Sequence, residues 1–152
     1  MPRQPMTKFN IRIYGLLINE LKQVLVSDEY RNHFAFTKFP GGGLELGEGF
    51  KNALMREFEE ELNLKVTVAD LFYFNDFYQE SAFNPTEQLI SFYYFVKTEN
   101  WKTILADQHE SPLTEEGEKH RWINIEDFDV DDFTFPLDKI VAKRLRETTA
   151  IV

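Results

Sequence analysis

The segment from Gly42 to Leu64, GGLELGEGFKNALMREFEEELNL, constrains this chain more than any other. A glycine-rich turn runs into a helix, read as roughly Gly49 to Asn63, that carries two distinct faces. At about 100° per residue, Leu54, Phe58, Leu62 and Met55 fall on an arc about 100° wide, an apolar face that must pack into a core. Glu57, Glu60 and Glu61 fall on a second narrow arc, and Glu59 adds to the negative charge. Like charges at i,i+4 destabilise a helix, and a cation would remove the penalty. Three carboxylates on one rigid face suit Mg²⁺ or Mn²⁺, which take oxygen ligands and share them with substrate phosphates. Ala53 lies on the acidic side, where a small residue leaves room for a ligand. A glutamate run is also commonly a solvated face, so the rest of the segment has to decide.

The spacing of the whole segment supplies that decision. Gly42 is followed after five residues by Glu48, and after seven more by Arg56-Glu57-Phe58, then Glu60-Glu61. This resembles the Nudix box, G-x5-E-x7-R-E-U-x-E-E-x-G-U, in which U is apolar. Asn63 stands where the family has its second glycine. That glycine closes the helix with positive φ, and Asn tolerates the same left-handed conformation well. The resemblance implies an α/β fold, an α/β/α sandwich with a mixed β-sheet between helices. It also implies metal-dependent hydrolysis of a diphosphate linkage in a nucleoside diphosphate joined to some other group, by attack of water at phosphorus.

Composition is compatible with that reading and removes others. The chain has 152 residues, 43% of them hydrophobic and 15% aromatic, with fifteen Phe, and it reads as one domain over 1–152. No apolar run is long enough to span a membrane, and Met1 to Lys8 lacks the apolar core of a signal peptide. With no cysteine there is no disulfide, thiolate metal site or thiol nucleophile. The cytoplasm is the expected compartment. A net charge of −9 argues against broad nucleic-acid binding, which needs a basic footprint. An acidic protein that handles phosphates needs local cations, from metal or from a few Lys and Arg.

Along the chain, Phe9 to Asn19 reads as a strand, and Gln23 to Ser27 follows it across a short polar turn as the second arm of a hairpin. Phe34 to Phe39 is extended up to Pro40, and Gly41 to Gly43 reads as a loop. Val66 to Tyr78 and Gln88 to Thr98 are long strand-like runs joined by a polar loop containing Asn84 and Pro85. Asn100 to Lys119 reads as a polar loop, Arg121 to Ile125 as a last strand. Pro136 to Thr148 reads as a closing helix with Pro in its first turn and a stripe of Leu137, Ile140, Val141 and Leu145.

By position in the box, the resemblance implies Glu57, Glu60 and Glu61 as metal ligands for Mg²⁺, with Mn²⁺ as an alternative. A carbonyl of the glycine turn joins them, Gly41 or Gly42, with Gly41 favoured. It implies that Arg56 orients and charge-balances carboxylates and that Glu48 ties loop to helix. The general base is either a box glutamate or one on a late loop. Glu116, six residues ahead of Trp122, is the leading candidate, with Glu115, Glu118 and Glu110 as alternatives. Arg12 and Lys38 are candidates for phosphate contact. The aromatics Phe72, Tyr73, Phe74, Phe77, Tyr78 and Phe83 offer core or a stacking surface, and Phe77 is taken as the substrate-side residue. His33, His109 and His120 show no zinc spacing and read as loop residues.

Two further readings compete, a non-catalytic Nudix-fold sensor of nucleotides or sugar nucleotides and an enzyme of other chemistry on the same fold. The retained Glu57, Glu60 and Glu61 speak against the sensor. No proline lies about sixteen residues beyond Leu64, as ADP-ribose-directed members often have, which weakens that substrate. Nucleoside triphosphates, dinucleoside polyphosphates and nucleotide sugars stay open, and so does the homodimer that many relatives form.

Overall fold

The computed structural model describes residues 5–104 and 109–149. Among these residues, seven strands and two α-helices follow in the order β1 (Lys8–Leu17), β2 (Gln23–Arg31), β3 (Phe34–Lys38), β4 (Gly41–Gly43), α1 (Phe50–Leu62), β5 (Thr67–Phe74), β6 (Glu87–Lys97), β7 (Gly117–Asn124) and α2 (Pro136–Thr149). A mixed four-stranded sheet has the order β4-β1-β6-β5, and an antiparallel three-stranded sheet has the order β3-β2-β7. In the first, β1 pairs in parallel with β6 from Lys8↔Glu87 to Leu17↔Val96.

Alternation along β1 sends residues to opposite faces, as the pleat requires. Ile13 and Leu17 join Leu54 and Phe58 of α1 in one apolar cluster. Tyr14 and Leu16 join Leu137, Val141 and Leu145 of α2 in another. The two helices thus cover both faces, giving the sandwich that the resemblance implied. Helix α1 lies very close to β1. A Cβ at Gly15 would stand 2.6 Å from Phe58 Cε2 and 2.8 Å from Val96 Cγ2. The helix ends at Asn63, which is left-handed (φ 49, ψ 42) and donates its backbone N–H to Glu59 O. The family's glycine position is therefore filled by a residue doing glycine's conformational job.

Four expectations are corrected. First, β1 and β2 form no hairpin. They lie in different sheets, and among the described residues the pairing across the turn is confined to the Ile18↔Val24 bridge and the bond from Asn19 N–H to Gln23 O, because β1 pairs on both edges with β4 and β6 instead. Second, Gly41–Gly43 is a short strand, antiparallel to β1 with Gly41 opposite Tyr14. Third, β7 begins at Gly117, so Glu118 and His120 are strand residues. Their polarity hides the strand in the sequence. Fourth, Ala53 is buried with Leu54 and Phe58 in the core and leaves no ligand space. Part of the Asn100 to Lys119 loop, 105–108, lies outside the described residues. No described helix is long and apolar enough to cross a membrane.

Candidate active site

Arg56 organises the glycine turn and the helix together. Its Nε and Nη2 donate to the two oxygens of Glu48 at 3.0 and 2.7 Å, a forked, charge-assisted pair. The same Nη2 donates to the Gly43 carbonyl at 3.2 Å. Nη1 reaches Glu57 Oε1 at 3.1 Å and Glu60 Oε2 at 3.3 Å. Glu48 also accepts from the Glu45 backbone N–H at 2.9 Å. The hydrogen bonds to Arg56, then that backbone N–H, hold the Glu48 carboxyl below its usual range. Glu48 thus fastens the turn to the helix, and Arg56 is an orienting group surrounded by carboxylates.

The turn itself needs glycine. Gly41 has φ +145 and packs its Cα against the backbone of Ile13 and Tyr14, where a side chain would collide. At Gly42 a Cβ would stand 2.6 Å from Glu57 Oε1, so the Glu57 carboxylate lies directly on the bare backbone. The Gly41 carbonyl accepts from Lys38 Nζ at 3.3 Å.

These groups open onto a cavity of about 940 Å³. Its polar wall includes Arg12, Lys38, Gly41, Gly42, Glu57 and Glu61. The same lining includes Tyr14, Phe36, Phe83, Tyr93, Phe135 and Asp138. Phe83 packs edge-on against Phe36 and Phe135, with ring centroids 5.4 and 5.6 Å away. Cationic, carboxylate and aromatic side chains thus share one recess. In that lining Tyr93 donates its hydroxyl to Asp138 Oδ1 at 2.6 Å, with both residues buried. Burial pushes the Asp138 carboxyl up to about 6, against the opposing pull of the Tyr93 hydrogen bond and of Lys38 and Arg12.

Lys38 is buried rather than solvated. Burial alone would lower its pKa. Glu29, whose Oε2 lies 3.3 Å from Nζ, together with Tyr14 and Glu61 outweighs that effect and holds the ammonium above its usual value. Arg12 donates from Nε to the Tyr14 hydroxyl at 2.7 Å. Both cations therefore line the same cavity as Glu57 and Glu61.

Negative charge is concentrated nearby. Burial, reinforced by Glu118 and Glu57, pushes Glu61 well above the carboxylate range even though Lys38 opposes it. Burial and Glu29 raise Glu118. Burial, with Lys38, holds His120 down at about 4, so its imidazole is neutral at neutral pH. One ligand atom each from Glu61, Glu118 and His120 lies within 4.8 Å of the others. Among the described residues, the buried side-chain polar atoms without a hydrogen-bond partner are Glu61 Oε2, Glu118 Oε1, His120 Nε2 and Ser91 Oγ. Half-buried carboxylates in mutual repulsion and orphaned lone pairs are a donor set that fits a divalent cation.

The structure brings together Lys38, Arg12, Gly41, Glu57 and Glu61 from the sequence-derived set. Glu60 is 60% exposed and reaches the group through Arg56. Glu116 is not brought in. Its carboxylate accepts from the Asn32 backbone N–H at 3.0 Å, and it is the alternative Glu118 that meets the helix. Phe77 is 45% exposed and outside the cavity wall, which Phe83 of the same aromatic cluster occupies instead. Sequence reasoning missed His120, Tyr93 and Asp138. The i,i+2 spacing of Glu118 and His120 is the signal that a strand would present both on one face.

Fold, glycine turn and box helix together define a Nudix-type catalytic domain. The NUDIX domain family model matches residues 8–144, and the chain belongs to that family. An 8-oxo-dGTP diphosphatase of Haemophilus influenzae is 27% identical over 136 residues, which cover 88% of this chain and 90% of that protein. An 8-oxo-dGTP diphosphatase of Escherichia coli is 24% identical over 143 residues, covering 93% and 99%. The crystal structure of a MutT protein from Methanosarcina mazei superposes with a TM-score of 0.68 at 18% identity, over 96% of this chain and 98% of that one, a likeness of fold. The protein is a pyrophosphohydrolase of Nudix type.

Proposed function

We propose that the protein hydrolyses a diphosphate linkage of a nucleoside triphosphate, with Mg²⁺ or Mn²⁺ held by Glu57, Glu60, Glu61 and the Gly41 carbonyl. One observation carries this reading. Glu57, Glu61 and Gly41 open onto the same cavity as an aromatic wall of a size that accepts a base. When bound, a divalent cation neutralises phosphate oxygens and lowers the pKa of a water.

The chain's own residues supply the rest. Lys38 and Arg12 place fixed positive charge beside the phosphates. Arg56 holds Glu57 against Gly42 and keeps Glu60 beside it. Proton acceptance is assigned to Glu57, since Glu116 is engaged at Asn32. Phe83, Phe36 and Tyr14 form the face on which a base stacks. The activity of the two bacterial relatives favours an oxidised purine nucleoside triphosphate such as 8-oxo-dGTP.

The test is a panel of 8-oxo-dGTP, ordinary nucleoside triphosphates, dinucleoside polyphosphates and nucleotide sugars, assayed with Mg²⁺ and with Mn²⁺. Glu57→Gln and Glu60→Gln serve as controls. Metal-dependent release of pyrophosphate or phosphate, lost in Glu57→Gln, is expected. Turnover that survives EDTA and both substitutions would sink the metal-site assignment, and turnover of nucleotide sugars alone would sink the substrate.

A further inference from the structure

Glu61, at the last turn of α1, and Glu118 and His120, on one face of β7, come from elements far apart in sequence. Each contributes a buried polar atom with no hydrogen-bond partner. His120 is 8% exposed, so water does not satisfy its Nε2 from bulk. An orphaned buried polar group is destabilising because it has given up water without gaining a partner, and three of them at one place need a common partner. Lys38 does not fill that role, for its Nζ is spent on Phe39 O, Gly41 O and Glu29. The nearest internal solution is a contact between His120 Nε2 and Glu118 Oε1, 3.4 Å apart and not formed as a hydrogen bond.

We propose that Glu61, Glu118 and His120 form a mixed nitrogen–oxygen cation site that selects a first-row transition ion, Mn²⁺, Co²⁺ or Zn²⁺, over Mg²⁺. The chemistry follows from the third ligand. Mg²⁺ takes oxygen and gives up its waters reluctantly. Imidazole nitrogen suits the transition ions, whose affinity for such sites rises along the first row. The site shares Glu61 with the ligand set proposed above and so rests in part on that reading. Its distinct element is His120, which no box position supplies.

The test uses the full chain, stripped of metal, and titrates MgCl₂, MnCl₂ and CoCl₂ by calorimetry beside His120→Asn. Co²⁺ is expected to bind at least about tenfold more tightly than Mg²⁺, and His120→Asn to abolish most of that preference. Imidazole NMR of the unmodified protein gives a second readout that survives a variant which fails to fold. Substoichiometric Mn²⁺ should broaden the His120 ring signals well before those of His33. A preference retained in His120→Asn, or equal broadening of His120 and His33, overturns the inference. If His120 is untouched by Co²⁺ and Mn²⁺ while Glu57-dependent hydrolysis with Mg²⁺ persists, this site falls and the proposed function stands. If His120 responds and no diphosphate is hydrolysed, the reverse holds.

Discussion

Asp138 offers the sharpest test of the energetics at the cavity. It is buried at the start of α2, and its carboxyl titrates near 6 instead of 3.8 because burial disfavours the charged form. The folded state therefore binds this proton more tightly than the unfolded state does. Its contribution is most favourable below about pH 4 and is lost as pH rises toward 6, after which it stays constant. A difference of about two pH units, at about 1.36 kcal/mol each, makes the loss about 3 kcal/mol. Asp138→Asn keeps an oxygen to accept from the Tyr93 hydroxyl and removes the titration. At pH 7.5 the variant should be more stable than the wild type by up to about 3 kcal/mol, or roughly 6–12 °C in Tm for a chain of this size. At pH 4 the advantage should shrink below about 1 kcal/mol. His120, held down near 4, pulls the other way over an overlapping range, but it is common to both proteins and cancels in the difference. Urea unfolding of the pair from pH 4 to pH 8 measures that difference directly. A gap that is flat with pH, or that widens toward acid, would refute the reasoning.

Three further perturbations isolate the glycine turn, the helix end and the arginine hub. Gly42→Ala puts a methyl group 2.6 Å from Glu57 Oε1 and should lower kcat by about 10²-fold with little change in the urea midpoint; an unchanged rate would remove Glu57 from the reaction. Asn63→Ala should cost about 1 kcal/mol in urea unfolding because Ala resists the left-handed conformation, while Asn63→Gly should be near neutral. Equal losses would mean that the Asn side chain, not its φ, matters. Arg56→Lys forfeits the fork to Glu48 and should cut kcat at least about tenfold while moving KM little. Kinetics with saturating Mg²⁺ would show it.

The helix was readable because its two faces differ in both hydropathy and charge, and Phe50–Leu62 departs by one residue at each end from the expected Gly49 to Asn63. The readable part of the site was the part that lies within one local segment, from Gly41 to Glu61. What lay hidden was assembled across the chain. The turn from Asn19 to Gln23 has every local mark of a hairpin, yet the partner of β1 is β6, and no local pattern reports a pairing that distant. Lys38 resembles a surface cation until Glu29, on the neighbouring strand, is seen to neutralise it. Glu118 and His120 look like loop residues because a strand facing a polar site loses the apolar alternation by which strands are recognised. Phe77 and Phe83 are alike in sequence, and only the fold turns Phe83 toward Phe36 and Phe135.

The parallel pairing of β1 with β6 has a consequence for how the protein is made. On the ribosome β1 emerges before the box helix, which follows it complete with every carboxylate. The strand that flanks β1 opposite the glycine turn begins only at Glu87. Until then β1 has one pairing edge filled by three glycines, and the helix rests on a platform not yet built. Closing so long a loop is entropically late in folding. A nascent chain thus carries its catalytic motif for much of synthesis without the rigidity that makes the motif an active site, and hydrolytic competence arrives with the last strands.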